Sequence, residues 1–163
     1  MIYFTSDLHF GHQNIIKYCD RPWATSAEMD LALVKNWNNV VSNDDTVWVL
    51  GDISLSGKYD YIANLVGQLK GNKRLVFGNH DRLKVKDYYN MGFEFVSKYP
   101  VILKDFIALS HAPLFTNTNS PFFNVYGHVH NMEQYITRTE HSLCVCVERH
   151  NYAPTTLDIF EEA

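Results

Sequence analysis

Five short apolar runs in this chain end in the same way, and that ending limits what the chain can fold into. Leu75-Val-Phe-Gly78 is followed by Asn79, His80 and Asp81; Ile2-Tyr-Phe-Thr-Ser6 by Asp7, Leu8 and His9; Val47-Trp-Val-Leu-Gly51 by Asp52. Phe106-Ile-Ala-Leu-Ser110 is followed by His111, and Asn124-Val-Tyr-Gly127 by His128, Val129 and His130. A short apolar run bounded by turn residues reads as a buried strand. Glycine at its end lets the backbone turn where any Cβ would obstruct. Open α/β folds present their ligands at the carboxyl ends of strands. Polar loops follow strands in general, which accounts for one such ending. It does not account for a metal-competent side chain directly after a small residue in every case. Five strands ending in one layer bring Asp7, His9, Asp52, Asn79, His111, His128 and His130 to a common edge.

Between these runs the spacing is helical. Gly11 to Cys19 predicts a short helix carrying Ile15 and Ile16, closed by Arg21-Pro22 because a residue before proline leaves helical angles. Thr25 and Glu28 have capping-box spacing ahead of Met29, Leu33 and Trp37. Ile62, Leu65, Val66 and Leu69 make one helical face, and Gly71 suits a left-handed cap. Leu83 to Met91 is a further helix ended by Gly92. Beyond it the pattern is mainly strand, with Lys104-Asp105 as a hairpin turn, Leu143 to Glu148 as a strand and 156–162 as a short closing helix.

At 163 residues the chain suits one domain over 1–163. A net charge of −4 argues against tight binding to long nucleic acid, which needs a basic footprint. Three cysteines, Cys19, Cys144 and Cys146, form neither a zinc framework nor an even disulfide set, so a reducing cytoplasm is expected. Cys144 and Cys146 alternate, and are expected on one face of a strand. The first residues have no signal-peptide pattern, and no run approaches a membrane span. A homodimer is compatible with the composition.

Asp-x-His and His-x-His place two ligands on one side of an extended segment. Seven nitrogen and oxygen ligands exceed one tetrahedral zinc. If Asp52 bridges, they divide into Asp7, His9, Asp52 and His130 for one ion and Asp52, Asn79, His111 and His128 for the other. The donor set suits two divalent ions, Mn2+ first, with Fe, Zn2+ or Ni2+ as alternatives.

Asp7-Leu-His9, Gly51-Asp52, Gly78-Asn-His-Asp81, His111 and Gly127-His-Val-His130, in this order, resemble the signature of calcineurin-like metallophosphoesterases. The longer Asp7-Leu-His-Phe-Gly-His12-Gln-Asn-Ile-Ile16 is similar to small bacterial and phage-type members. The resemblance implies a four-layer αββα sandwich of two mixed sheets and a binuclear metal centre at the strand ends. It implies that water activated between the ions attacks phosphorus, that His80 protonates the leaving oxygen, and that Asp81 orients His80. The Asp-Arg-Gly of protein phosphatases is missing after Gly51-Asp52, which counts against a protein substrate and leaves the phosphate clamp open. His12, Arg21 and Arg82 are the candidates for holding the substrate phosphate, although His12 has a second reading as a helix cap.

The expected activity is hydrolysis of a small phosphodiester or phosphomonoester. A nuclease acting on nucleic-acid ends is the alternative within the enzymes, and a non-catalytic scaffold on the same fold the alternative outside them. Retention of His80 and all seven ligands argues against the scaffold.

Overall fold

The computed structural model describes residues 1–157. The strands divide between two sheets, so the edge expected from a single layer is built where two sheets meet. In the first sheet β1 (Ile2–Thr5), β2 (Thr46–Val49), β3 (Asn72–Val76) and β4 (Phe93–Ser97) run parallel. A short β9 (Thr155–Thr156) pairs antiparallel with β1, giving the order β4-β3-β2-β1-β9. The second sheet has the order β5-β6-β7-β8, from β5 (Val101–Leu103), β6 (Ile107–Ser110), β7 (Phe123–Tyr126) and β8 (Ser142–Cys144). Here β5 is antiparallel to β6 and the remaining pairs are parallel.

Period-two alternation explains how the sheets stack. On β2, Trp48 and Leu50 face between the sheets, where they meet Phe4, Val76, Ile107, Leu109, Val125 and Leu143. Val47 and Val49 face outward beneath the helices α2 (Ser26–Val40), α3 (Tyr59–Gly67) and α4 (Val85–Asn90), with Leu33, Trp37, Ile62 and Tyr88. On the other side of the molecule Val129 and Tyr135 cover Tyr126, Cys144 and Cys146. The layers thus follow the sandwich implied by the sequence. No helix among the described residues is long and apolar enough to cross a membrane.

Local signals carry through. Thr25 caps α2 with a complete capping box, its side chain accepting from the Glu28 amide while Glu28 reaches back to the Thr25 amide. Lys104 and Asp105 both have positive φ, at 48° and 63°, the geometry of a two-residue hairpin turn. Two boundaries shift. The helix α3 ends at Gly67, and Gly71 (φ +85°) instead turns the chain into β3. The strand expected over Leu143–Glu148 is shorter because the chain changes sheets there. The Val145 amide donates to Tyr126 O, whereas the Val147 amide donates to Ser6 O, and a 3-10 turn Val147–Arg149 follows. Cys144 and Cys146 are buried on one side as expected, with Sγ atoms 3.4 Å apart. In place of the start of the closing helix, Thr155–Thr156 protects the edge of β1; residues 158–162 of that expectation lie outside the described residues.

Candidate metal centre

The five strand ends converge because their loops touch backbone to backbone. A Cβ on Gly51 would lie 2.5 Å from the Gly78 backbone, and one on Gly78 would strike the Asp52 carboxylate. A Cβ on Gly127 would collide with Ser6 and with Asp7 Oδ2. The glycine before Asp52, Asn79 and His128 is therefore what lets one loop close on the next. Main-chain bonds hold this arrangement: the Asp7 amide donates to Gly51 O and the His9 amide to Asp52 O, both at 3.0 Å.

Asp7 and His9 do not sit on an extended segment. Asp7 (φ 58°), His9 (53°), Asp52 (56°), His128 (71°) and His130 (48°) all adopt left-handed backbone. Such a conformation costs roughly 1–3 kcal/mol for a non-glycine residue and persists only where its surroundings impose it. The paired ligands converge through consecutive tight turns, which corrects the strand-period argument for why they face one way.

Seven side chains come together in two groups around Asp52. Asp7 Oδ1 lies 3.8 Å from His9 Nε2 and 3.6 Å from His130 Nε2. Asn79 Oδ1 lies 2.8 Å from His111 Nε2 and 3.0 Å from His128 Nδ1, and those two nitrogens are 3.1 Å apart. Asp7 Oδ1 and His9 Nε2 are buried without a hydrogen-bond partner among the described residues. A buried polar atom without a partner is costly unless something else satisfies it. A cation at the Asp7–His9–His130 set would engage these lone pairs, and the second set offers Asn79, His111 and His128 donor atoms within about 3 Å of one another, a donor chemistry that fits divalent metal ions.

Outer contacts fix which nitrogen is free. His111 Nδ1 donates to Leu50 O at 2.7 Å and His130 Nδ1 to Glu148 Oε1 at 2.9 Å, leaving both Nε2 atoms toward the centre. Burial pushes the Asp7 carboxyl up, but the imidazoles of His9, His130 and His111 more than offset this and hold it at about 2. Burial opposes Asp52 in the same way, and His111 and His9 hold it well below the usual carboxylate range.

His80 lies beside both sets without joining either. Its backbone amide donates to Asp52 Oδ1 at 2.8 Å, and its ring stands edge-on to His9 with centroids 5.5 Å apart. The expectation that Asp81 orients His80 is not what the geometry gives. The Asp81 carboxylate accepts from the amides of Gly78 (2.7 Å), Asp52 (2.9 Å) and Ile53 (3.0 Å). It staples the loop after β3 to the loop after β2, and burial raises its pKa to about 6. In Asp81→Ala three amide donors lose their acceptor at roughly 1–3 kcal/mol each, so a loss of at least about 3 kcal/mol is expected. Urea unfolding measures it, and unchanged stability would contradict the staple.

The three phosphate-holding candidates separate. His12 stands at the N-cap position of α1 (Gln13–Tyr18), but its side chain caps nothing; its Nδ1 meets His9 Nδ1 at 3.1 Å. Burial and the neighbouring His9 push its pKa down to about 4, and in the contact between the two Nδ1 atoms one ring donates and the other accepts. Arg21 is not a phosphate clamp. Its guanidinium is buried, donating to Asp7 O (2.7 Å), Leu8 O (2.9 Å) and Glu148 (2.6 Å). Arg82 is exposed beyond the Asp81 staple. Sequence reasoning missed Glu148, which links Arg21 to His130. It lies 18 residues past His130, and no periodic or motif signal singles it out.

The chain matches the calcineurin-like phosphoesterase family model over residues 1–158. It is 38% identical over 167 residues to the uncharacterized protein MJ1445 of Methanocaldococcus jannaschii, covering 97% of this chain and 88% of that one. It is 44% identical over 84 residues to the Gene 66 protein of a Mycobacterium phage, covering 50% of this chain and 40% of the phage protein. The crystal structure of the protein of unknown function AQ665 from Aquifex aeolicus is similar at TM-score 0.75 and 25% identity, over 99% of this chain and 98% of that one. The nuclease MPE of Pseudomonas putida shares the fold at TM-score 0.57 and 21% identity, over 79% of this chain and 61% of that one. With strand-end motifs, donor geometry and family match in agreement, the chain belongs to the calcineurin-like phosphoesterases.

Proposed function

We propose that this protein hydrolyses small phosphate esters with two divalent ions, Mn2+ first among them, held by ligand sets that share Asp52. One oxygen carries the reading. Asp52 Oδ2 lies 3.5 Å from His9 Nε2 and 3.4 Å from His111 Nε2, so a single carboxylate oxygen faces both sets. When bound, such ions supply Lewis-acid charge that activates a water and offsets negative charge on the phosphoryl oxygens. Asp7, His9 and His130 would hold one, and Asn79, His111 and His128 the other. His80 stays free to give its proton to the departing ester oxygen. The Asp81 staple keeps Asn79 and Asp52 in register while that happens. Three free, buried cysteines support a reducing compartment.

Loading of the ions should depend on pH in a defined direction. In the metal-free protein, burial lowers the His130 pKa, but hydrogen bonds to Cys19 and Glu148 and the charge of Asp7 outweigh it, to about 10. His111 stands at about 9 because the Asp52 carboxylate outweighs its burial. Both imidazoles hold protons at neutral pH and must release them to a metal. Affinity should therefore rise with pH, by about one log unit per pH unit at each position, and flatten above about 9 to 10. Calorimetry at pH 7 in buffers of different ionisation enthalpy should show about two protons released per two ions. Binding without proton release would contradict this.

Activity should vanish in excess chelator after prolonged dialysis and return best with Mn2+. The assay panel holds 4-nitrophenyl phosphate, an alkyl 4-nitrophenyl diester and an end-labelled oligonucleotide. Full activity in the chelated, dialysed protein would overturn the metal reading. Release of mononucleotides at rates above the small esters would move the assignment to a nuclease.

A further inference from the structure

Beside His80 the chain leaves a cavity of about 550 Å³ that the proposed metal-holding residues His9 and His130 border. Its lining also includes the apolar faces of Ile15 and Tyr18 of α1, Leu55 and Met132. Apart from the imidazoles no lining side chain is charged. The arginine nearest in sequence to α1, Arg21, is buried and paired with Glu148, and Arg82 does not line the space. The opposite half of the centre is open, with Asn79 and His128 exposed to solvent.

This asymmetry rests on the phosphoesterase reading and narrows it. We infer that the substrate is a phosphodiester whose leaving arm is uncharged and apolar or aromatic, seated between Tyr18, Ile15, Leu55 and Met132. The second arm projects past Asn79 and His128 into water. Hydrolysis then adds water across one P–O bond: the water oxygen stays on phosphorus, and the arm in the cavity leaves as a neutral alcohol with the proton of His80. A leaving arm ending in a phosphate or carboxylate would meet apolar walls with no lysine or arginine among them, and desolvating that charge is unfavourable. A diester fills both the cavity and the open side, whereas a monoester has no second arm to place past Asn79 and His128.

Binding tests the cavity apart from turnover. The probes are three methylphosphinates, which have no P–O ester bond, whose second substituent is naphthylmethyl, methyl or carboxypropyl, titrated calorimetrically into the Mn2+-loaded protein. Naphthylmethyl should bind at least about tenfold tighter than methyl, and carboxypropyl no tighter than methyl. Tyr18 is 70% and Met132 48% exposed, so Tyr18→Ser and Met132→Asp should fold normally. Each should cut the naphthylmethyl advantage to below about threefold, with metal content unchanged. Equal binding of the three probes, or an advantage untouched in both variants, would overturn the inference. Failure of the ester panel under Mn2+ is a separate result, and overturns the hydrolase reading instead.

Discussion

His80→Ala is expected to slow hydrolysis of an alkyl phosphodiester toward the upper part of the ~10²–10⁴-fold range that a lost general acid costs, while both ions stay bound. The contact from His80 to Asp52 is made by its backbone amide, which alanine keeps, and the ring joins neither ligand set. The defect should depend on the leaving group. An alkoxide is a strong base and needs its proton in the transition state; 4-nitrophenolate needs little, so its ester should lose far less. His128→Ala should behave differently, because Nδ1 of His128 faces Asn79 and His111 within the second set. That variant should lose metal and slow both esters alike. The ratio of defects for the two esters, with metal measured by elemental analysis, decides between the roles. Equal defects with intact metals would make His80 a group that orients the phosphoryl oxygens.

Asp52→Asn should strike both ion positions at once. Asp52 Oδ2 faces His9 on one side and His111 on the other, while Oδ1 accepts the His80 amide. Asparagine keeps the size and can keep that amide contact, but removes the charge both cations would share. Losing only an outer partner of a metal ligand costs about 10–100-fold, so losing the common ligand should cost at least about 10²-fold in activity. The bound ions should fall below two per chain. Variants that spare one set make the contrast: His130→Ala should weaken the Asp7 side alone. Two tightly held ions in Asp52→Asn would sink the bridging assignment.

The gathering of these residues was legible because they carry local signatures. Five of the seven, Asp7, Asp52, Asn79, His111 and His128, directly follow a small residue at a strand end, a pattern that survives without knowing which strands pair. Thr25 with Glu28 and Lys104 with Asp105 were legible for the same reason, since caps and tight turns are decided within four residues. What could not be read were contacts made across the chain. Arg21 reaches Glu148 over 127 residues, so a residue that looked like a surface phosphate clamp is buried structure. Asp81 adjoins His80 in sequence yet its carboxylate serves the amides of Gly78, Asp52 and Ile53, two of them 29 and 28 residues away in the chain. Division of the strands between two sheets was legible only through the family resemblance. An apolar run shows that it is buried, not which sheet it joins.

The left-handed ligands have a practical consequence for anyone who would move this centre to another scaffold. Asp-Leu-His and His-Val-His copied onto ordinary β-strands would carry the donor atoms but not their convergence, since Asp7, His9, His128 and His130 all need positive φ. Nor would the loops close where Gly51, Gly78 and Gly127 were replaced by residues with side chains. The transferable unit is the strand end together with its turn and the neighbouring loop that fills the glycine gap. Transplants of the motif alone should bind divalent ions weakly, and those that bring paired loops should recover affinity before they recover turnover.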